Sequence, residues 1–420
     1  MLKTCTQSDC TITTKWRHCF NGLSRMALFL VLFTMLGVQN LLSQVITIDG
    51  NPSDWDASNF NLFPIKKYQG DACGNGVVDN QFTEGSKDFF PANMLVWSIS
   101  QTKAKNDIAN GAAILKDGIL YFAGDRTSNN GDAQIGFWLY LNGTGPVVGP
   151  LGNTFAPPHV DGDVLVLADF TGGGRNATVS IFQWDDSGNG DVPNTNGNLR
   201  TTSLTGIVAE NNDAQYPIPS GWVSECFRSA TYETNMFYEG KVDLTTLNVG
   251  NLCNTSFLLE TRSSQSITAS LDDFVAGTFN AKPLALVLTG GAFCTATASS
   301  GTITSSTSES GFNYQLYTGA GVAIGSPKPG TGSGLTWTNV PAGSDYYVVG
   351  TSSVNCTSTS NNVSVVANPN TSSTQSRTIC SKELPYSWDG LTFTAAGEQT
   401  KSGLVNQYGC DSTATYTLSV

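Results

Sequence analysis

The sequence predicts an all-β protein: an N-terminal β-sandwich, then an immunoglobulin-like β-sandwich and a small disulfide-stapled β module. Three observations predict it. Short apolar runs of strand length recur between Gly/Asn/Asp turns, as in "GILYFAG", "AQIGFWLYL", "GDVLVLADF", "ATVSIFQW", "TSFLLETR" and "PLALVLT". Charged residues are only 13% of the chain, too few to coat long surface helices. Helical signals are scarce: "KNDIANGAAIL" and "SLDDFVAG" are each read as one or two helical turns. Many closely spaced strands without intervening helices argue for sandwiches.

Residues 1–44 read as an export signal. Lys3, Lys15, Arg17 and Arg25 form a basic start, and "MALFLVLFTMLGV" (26–38) is an apolar stretch too short to span a bilayer comfortably. Leu41, Leu42, Ser43 and Gln44 offer a cleavage zone, and no later stretch reaches transmembrane length. Export removes four positive charges and one negative from totals of 21 and 33, leaving a net of −15. With no cluster of Lys and Arg to neutralise phosphates, nucleic acid is excluded as an expected partner.

The sandwich is expected over 45–290, and its best-patterned stretch is "DRTSNNGDAQIGFW" (125–138). Ile135, Phe137, Leu139 and Leu141 share one face by period two; Gln134, Gly136, Trp138 and Tyr140 share the other. The stretch reads first as a hairpin: "ILYFAGDR" rises, "TSNNG" turns and "DAQIGFWLYL" returns. Asp125 and Asp132 carry a second reading, a calcium clasp. A second calcium loop is suggested by "DDSGNGD", where Asp185 and Asn189 stand at the first and fifth ligand positions. The twelfth is Asn196 rather than a bidentate Glu. No cofactor other than a structural calcium is expected.

Enzyme chemistry finds little support. His159 is the one histidine beyond the export signal, and no nucleophile elbow, zinc-protease motif or phosphate loop occurs. Paired carboxylates could serve a glycosidase, but Glu84, Asp88, Asp125, Asp161, Asp163, Asp169, Glu239 and Glu260 form no identifiable pair in sequence. Trp97, Trp138 and Trp184 are the candidate sugar-stacking residues, with core packing as the alternative.

The region 291–368 has the length and rhythm of one immunoglobulin-like domain, with islands "NYQLYTG", "GLTWTNV", "DYYVVGT" and "NNVSVVA". "NPNTSSTQSRT" (368–378) reads as a polar linker, and 369–420 as the small module, the start of a longer or truncated array. Seven cysteines follow the export signal. Neighbours in sequence suggest Cys226–Cys253, Cys294–Cys356 and Cys380–Cys410, with Cys73 left over.

"TIDGNPSDWDA" (47–57) resembles the opening of DOMON and family 9 carbohydrate-binding β-sandwiches, and "DGILYFAGDR" resembles their next hallmark, a "D-x-LY" strand ending in an acidic residue. The likeness spans about 45–290. The later unit and "LPYSWDG…GCDSTATYTL" resemble modules of exported Bacteroidota surface adhesins. The resemblance implies sugar gripped by aromatic residues, calcium supporting the fold, and Asp49 and Asp125 as loop organisers. The expected function is non-enzymatic: a secreted or cell-surface adhesion protein binding an extracellular glycan or protein surface. The alternative is a carbohydrate-binding module with a specific polysaccharide ligand.

Overall fold

A computed structural model describes residues 46–71, 79–100, 103–130, 133–150, 152–170, 177–202, 207–247 and 249–420. The segment read as an export signal, Cys73 and Asp132 lie outside these residues. The chain divides into two compact units, one ending at Phe279 and one comprising Asn251–Asn254 and Asn280–Val420.

The first unit is a sandwich of two antiparallel sheets. One runs, edge to edge, Lys66–Gly70, Asn110–Lys116, Ile119–Asp125, Phe237–Asp243 and Val208–Asn211. The other runs Leu199–Thr201, Thr178–Trp184, Val164–Phe170, Ala133–Tyr140, Ser256–Arg262, Leu271–Thr278, Asp79–Phe82 and Trp97–Ser100. Between them Phe122 stacks on Phe137 at 4.7 Å, and Phe137 on Phe257 at 5.6 Å. Such offset aromatic contacts add to the area burial that holds the sheets together.

The expected hairpin over 119–140 does not form. Ile119–Asp125 pairs with Asn110–Lys116 and Phe237–Asp243, whereas Ala133–Tyr140 pairs with Val164–Phe170 and Ser256–Arg262. The two strands belong to opposite sheets and do not pair with each other. Turn chemistry specifies a change of direction, not the partner that follows.

Both faces of Ala133–Tyr140 are covered. Ile135, Phe137 and Leu139 face the inter-sheet core, while Trp138 and Tyr140 enter a second core with Phe82, Phe89, Trp97, Phe155, Trp184, Leu258 and Phe274. A third cluster, with Trp55, Phe60, Phe63, Ala112, Ile114, Trp222, Tyr232 and Phe237, includes residues of the five-stranded sheet.

Three local expectations are corrected. "KNDIANGAAIL" contains the strand Asn110–Lys116, and "SLDDFVAG" is almost entirely the strand Leu271–Thr278. Sheet pairing on both sides outweighs the helical propensity of their Ala residues. "PLALVLT" contributes only the short strand Leu288–Gly290.

The second unit carries a three-stranded sheet (Leu288–Gly290, Gly301–Thr307, Gly334–Val340) and a larger one containing Ala292–Cys294, Asn313–Tyr317, Ala323–Pro329, Gly343–Thr351 and Val363–Asn368. The expected linker is a strand instead. Thr371–Thr378 pairs in parallel with Asp411–Ser419, and every residue in it is exposed. Its side chains are polar throughout, so no period-two pattern marked a backbone that finds its partner in the last strand.

The disulfides also differ from the neighbour pairing. Cys253 bonds Cys356 and Cys294 bonds Cys410, across 103 and 116 residues, and Cys380 is free and exposed. Cys226 is disulfide-bonded, but not to Cys253. Pairing follows Cα separations of 5.3 and 5.5 Å created by the fold, so proximity in sequence misleads.

Candidate metal centre

Three carboxylates converge in the first unit: Asp79 at the start of Asp79–Phe82, Asp107 in the segment before Asn110–Lys116, and Asp273 within Leu271–Thr278. One oxygen from each lies within 4.8 Å of the others. Asp79 is 6% exposed and Asp273 is wholly buried.

One backbone donor and one side-chain donor fix two of the three, each through one oxygen. The Ile108 N–H donates to Asp273 Oδ2 at 2.7 Å, and the Thr127 hydroxyl donates to Asp107 Oδ2 at 2.9 Å. Thr261 braces the same place: its Oγ1 accepts from the Asp273 N–H at 3.2 Å and donates to the Asn106 carbonyl at 2.6 Å. The Oδ1 atoms of Asp79, Asp107 and Asp273 are buried and have no hydrogen-bond partner.

Electrostatics sharpen the point. Burial pushes Asp107 up to about 6, with Asp79 adding like-charge repulsion. Asp273 is raised further above the carboxylate range, first by burial and then by Asp79, with Asp71 and Asp107 contributing. Asp79 is raised by burial. Among the described residues no Lys or Arg is paired with any of the three. Buried acids without a counter-charge either keep their protons or gather a cation.

Sequence reasoning missed this centre because two of its members lay in segments read as helical. The signal was present in "LDDFVAG": Leu271, Asp273 and Val275 recur at period two, placing a carboxylate on a buried strand face.

The residues singled out from sequence occupy other roles. Asp125 is buried and accepts from the Ala109 and Asn110 N–H groups, the Asn110 amide and the Tyr232 hydroxyl, at 3.1, 2.8, 2.6 and 2.6 Å. Burial still raises it to about 7. Four donors engage its oxygens, which makes it a structural organiser and not an open cation ligand. Asp185 closes its own turn by accepting from Ser187, and Asn189 donates to the Ser187 carbonyl at 3.2 Å. That loop is held by the Gly190 N–H donating to the Gly197 carbonyl, with Arg200 beside Asp185 at 3.8 Å.

The three tryptophans are core residues. Trp138 is 1% exposed and donates to Asp88, Trp97 donates to the Thr154 carbonyl, and Trp184 donates to Asp186. None presents a face on which a sugar could stack.

His159 is buried, bonded through Nδ1 to Asp163 at 3.0 Å and stacked on Trp184 at 4.0 Å. Asp88, Glu260 and Arg262 form a buried cluster, with Arg262 Nη2 at 2.8 Å from Asp88. Burial, followed by the Asp88 charge, holds Glu260 well above the carboxylate range. Both acids are wholly buried, and neither is exposed to a substrate at the surface.

Asp49 belongs to a different device. The N–H groups of Asp49 and Gly50 and the Trp55 indole all donate to the buried Glu239 carboxyl, at 3.0, 2.8 and 2.7 Å. Gly50 sits at φ +77°, where a Cβ would meet the Asn211 carbonyl oxygen at 2.2 Å, so only glycine fits. The motif "DGNPSDW" is therefore an anchor that docks the N-terminal segment.

Among the described residues no helix is long and apolar enough to cross a membrane. No protein-family model matches the sequence, and no curated protein does. Among solved structures the chain is similar to a biofilm associated protein, BSP domain, at 9% identity and TM-score 0.17, covering 64% of this chain and 68% of that one. It is similar to the adhesin domain of Epf from Streptococcus pyogenes at 11% identity and TM-score 0.19, covering 70% and 94%. It is also similar to SGBP-B of the Bacteroides ovatus mixed-linkage glucan utilization locus, solved with a mixed-linkage heptasaccharide, at 10% identity and TM-score 0.13, covering 72% and 64%. At these scores none of the three assigns a ligand or an activity, and the chain itself is established as an all-β protein with a disulfide-linked second unit.

Proposed function

We propose that the chain is an exported, non-enzymatic surface protein whose β-units bind an extracellular glycan or protein surface. The observation that carries the reading is the second unit, a small all-β body closed by Cys253–Cys356 and Cys294–Cys410. Disulfides that close loops of 103 and 116 residues form and persist in oxidising surroundings, outside the cytoplasm. The basic and apolar export signal at 1–44 supports the same compartment.

The burial of His159, and of Asp88 against Glu260, supports a binding role over a catalytic one. With the core tryptophans withdrawn, the contact surface must use other side chains. The half-buried stacked pair Tyr317–Tyr347, with centroids 5.5 Å apart on neighbouring strands, is the aromatic platform that favours a glycan. A panel of immobilised polysaccharides and extracellular-matrix proteins, probed with the exported chain, tests this reading. Saturable binding weakened by Tyr347→Ala supports the glycan form. Binding to matrix proteins alone supports adhesion, and no binding to either class counts against the proposal.

A further inference from the structure

The Asp79–Asp107–Asp273 centre has the features of a cation cage rather than of a solvated acidic patch. Its members come from separate segments, and Asp107 and Asp273 each commit Oδ2 to a protein donor while leaving a buried Oδ1 unpartnered. The same is true of the nine-tenths-buried Asp79 Oδ1. Gathering three such carboxyl groups, with one oxygen of each within 4.8 Å of the others, is unfavourable by desolvation and like-charge repulsion. A bound divalent ion would remove most of that cost.

Ligand type and spacing narrow the choice of ion. All three donors are carboxylate oxygens, which suits a hard cation and not zinc or copper, for which His or Cys would be expected. Oxygens coordinating calcium at about 2.3–2.6 Å stand at most ~5 Å apart. The mutual separations here, all within 4.8 Å, meet that limit. Magnesium keeps several waters and is usually held by one or two carboxylates, so three carboxylates gathered in a buried place favour the larger ion.

We propose that Asp79, Asp107 and Asp273 bind a calcium ion that clamps the segment 103–109 to the strands Asp79–Phe82 and Leu271–Thr278. The site is distinct from the loops at Asp125 and Asp185, and it does not depend on the surface-binding reading. By crossing from an edge region of the eight-stranded sheet to the segment that enters the five-stranded sheet, the ion would lock the two sheets at one end of the first unit.

The test uses the full exported chain with its disulfides intact, stripped with EDTA and dialysed. Titration calorimetry with calcium chloride is paired with scanning calorimetry of the stripped and loaded protein. Saturable uptake and a melting temperature that rises with calcium are expected. Asp79→Asn and Asp107→Asn should each weaken uptake by at least about tenfold. Their metal-free melting temperatures should equal or exceed the parent's, because each removes a repelling charge; this keeps the test valid even if Asp273→Asn fails to fold. Magnesium chloride should give a much smaller shift. No calcium-dependent shift in the parent, or parental uptake in both variants, would overturn the site. An equal shift with magnesium would overturn the assignment to calcium.

Discussion

The Trp55 indole N–H donates to Glu239 Oε2 at 2.7 Å, joining residues 184 apart in the chain. Trp55 is wholly buried against Phe60 and Trp222, and Glu239 lies on Phe237–Asp243, an interior strand of the five-stranded sheet. The contact closes the N-terminal segment onto the sandwich. Replacing Trp55 with Phe keeps an aromatic ring but leaves the buried carboxyl short of a donor. A loss of about 1–3 kcal/mol is expected in a urea titration; unchanged stability would show that this anchor is dispensable.

The same carboxyl gives a pH dependence with a definite sign. Burial raises Glu239 from 4.5 to about 8, outweighing its three donors, and raises Asp125 from 3.8 to about 7. Each holds its proton in the folded state at pH values where the unfolded chain has released it. Between roughly pH 4 and 8 the native state therefore binds more protons, and stability falls as pH rises. Melting temperatures in EDTA should decline across that window, and Glu239→Gln should decline less steeply. A profile that rises with pH, or an identical slope in the variant, would contradict the assignment.

Disulfide mapping follows directly from the second unit. Non-reducing peptide mass spectrometry is expected to recover Cys253 linked to Cys356 and Cys294 linked to Cys410. Cys380 should alkylate without prior reduction. By loop entropy, removing either bridge should cost about 4–5 kcal/mol. A Cys380–Cys410 peptide would contradict the fold of the last 50 or so residues.

Gly136 faces Glu260, whose Oε1 lies 1.6 Å from where a Cβ would stand. Gly136→Ala should displace the Asp88–Glu260–Arg262 cluster at a cost of about 1–3 kcal/mol. Unfolding by guanidinium measures it, and a neutral result would mean that the cluster yields more freely than its full burial implies.

Much of the all-β class was legible in the sequence, because period-two runs such as Ile135–Leu139 leave few alternatives. Strand partnership was not. The turn-like "TSNNG" suggested a hairpin, yet Asp125 ends a strand of one sheet and Ala133 begins a strand of the other. Nothing local to those residues distinguishes a turn from a crossover. The site was less legible still. Asp125 stood out in an amide-rich stretch and proved to be saturated by four donors. Asp273 stood in a segment, "SLDDFVAG", that read as a helical turn or two. Its meaning depends on Asp79 and Asp107, which reach it only once the sheets have formed. Buried tryptophans misled in the same way, because a second covering layer over the eight-stranded sheet has no periodic signature.

The most direct test of the central claim is membrane-impermeant biotin labelling of intact cells producing the chain, followed by quantification of the labelled fraction. The expected result is strong labelling of intact cells, at a level that lysis hardly increases, with Cys253, Cys356, Cys294 and Cys410 all oxidised. A chain labelled only after lysis, with those cysteines reduced, would contradict export and surface binding together.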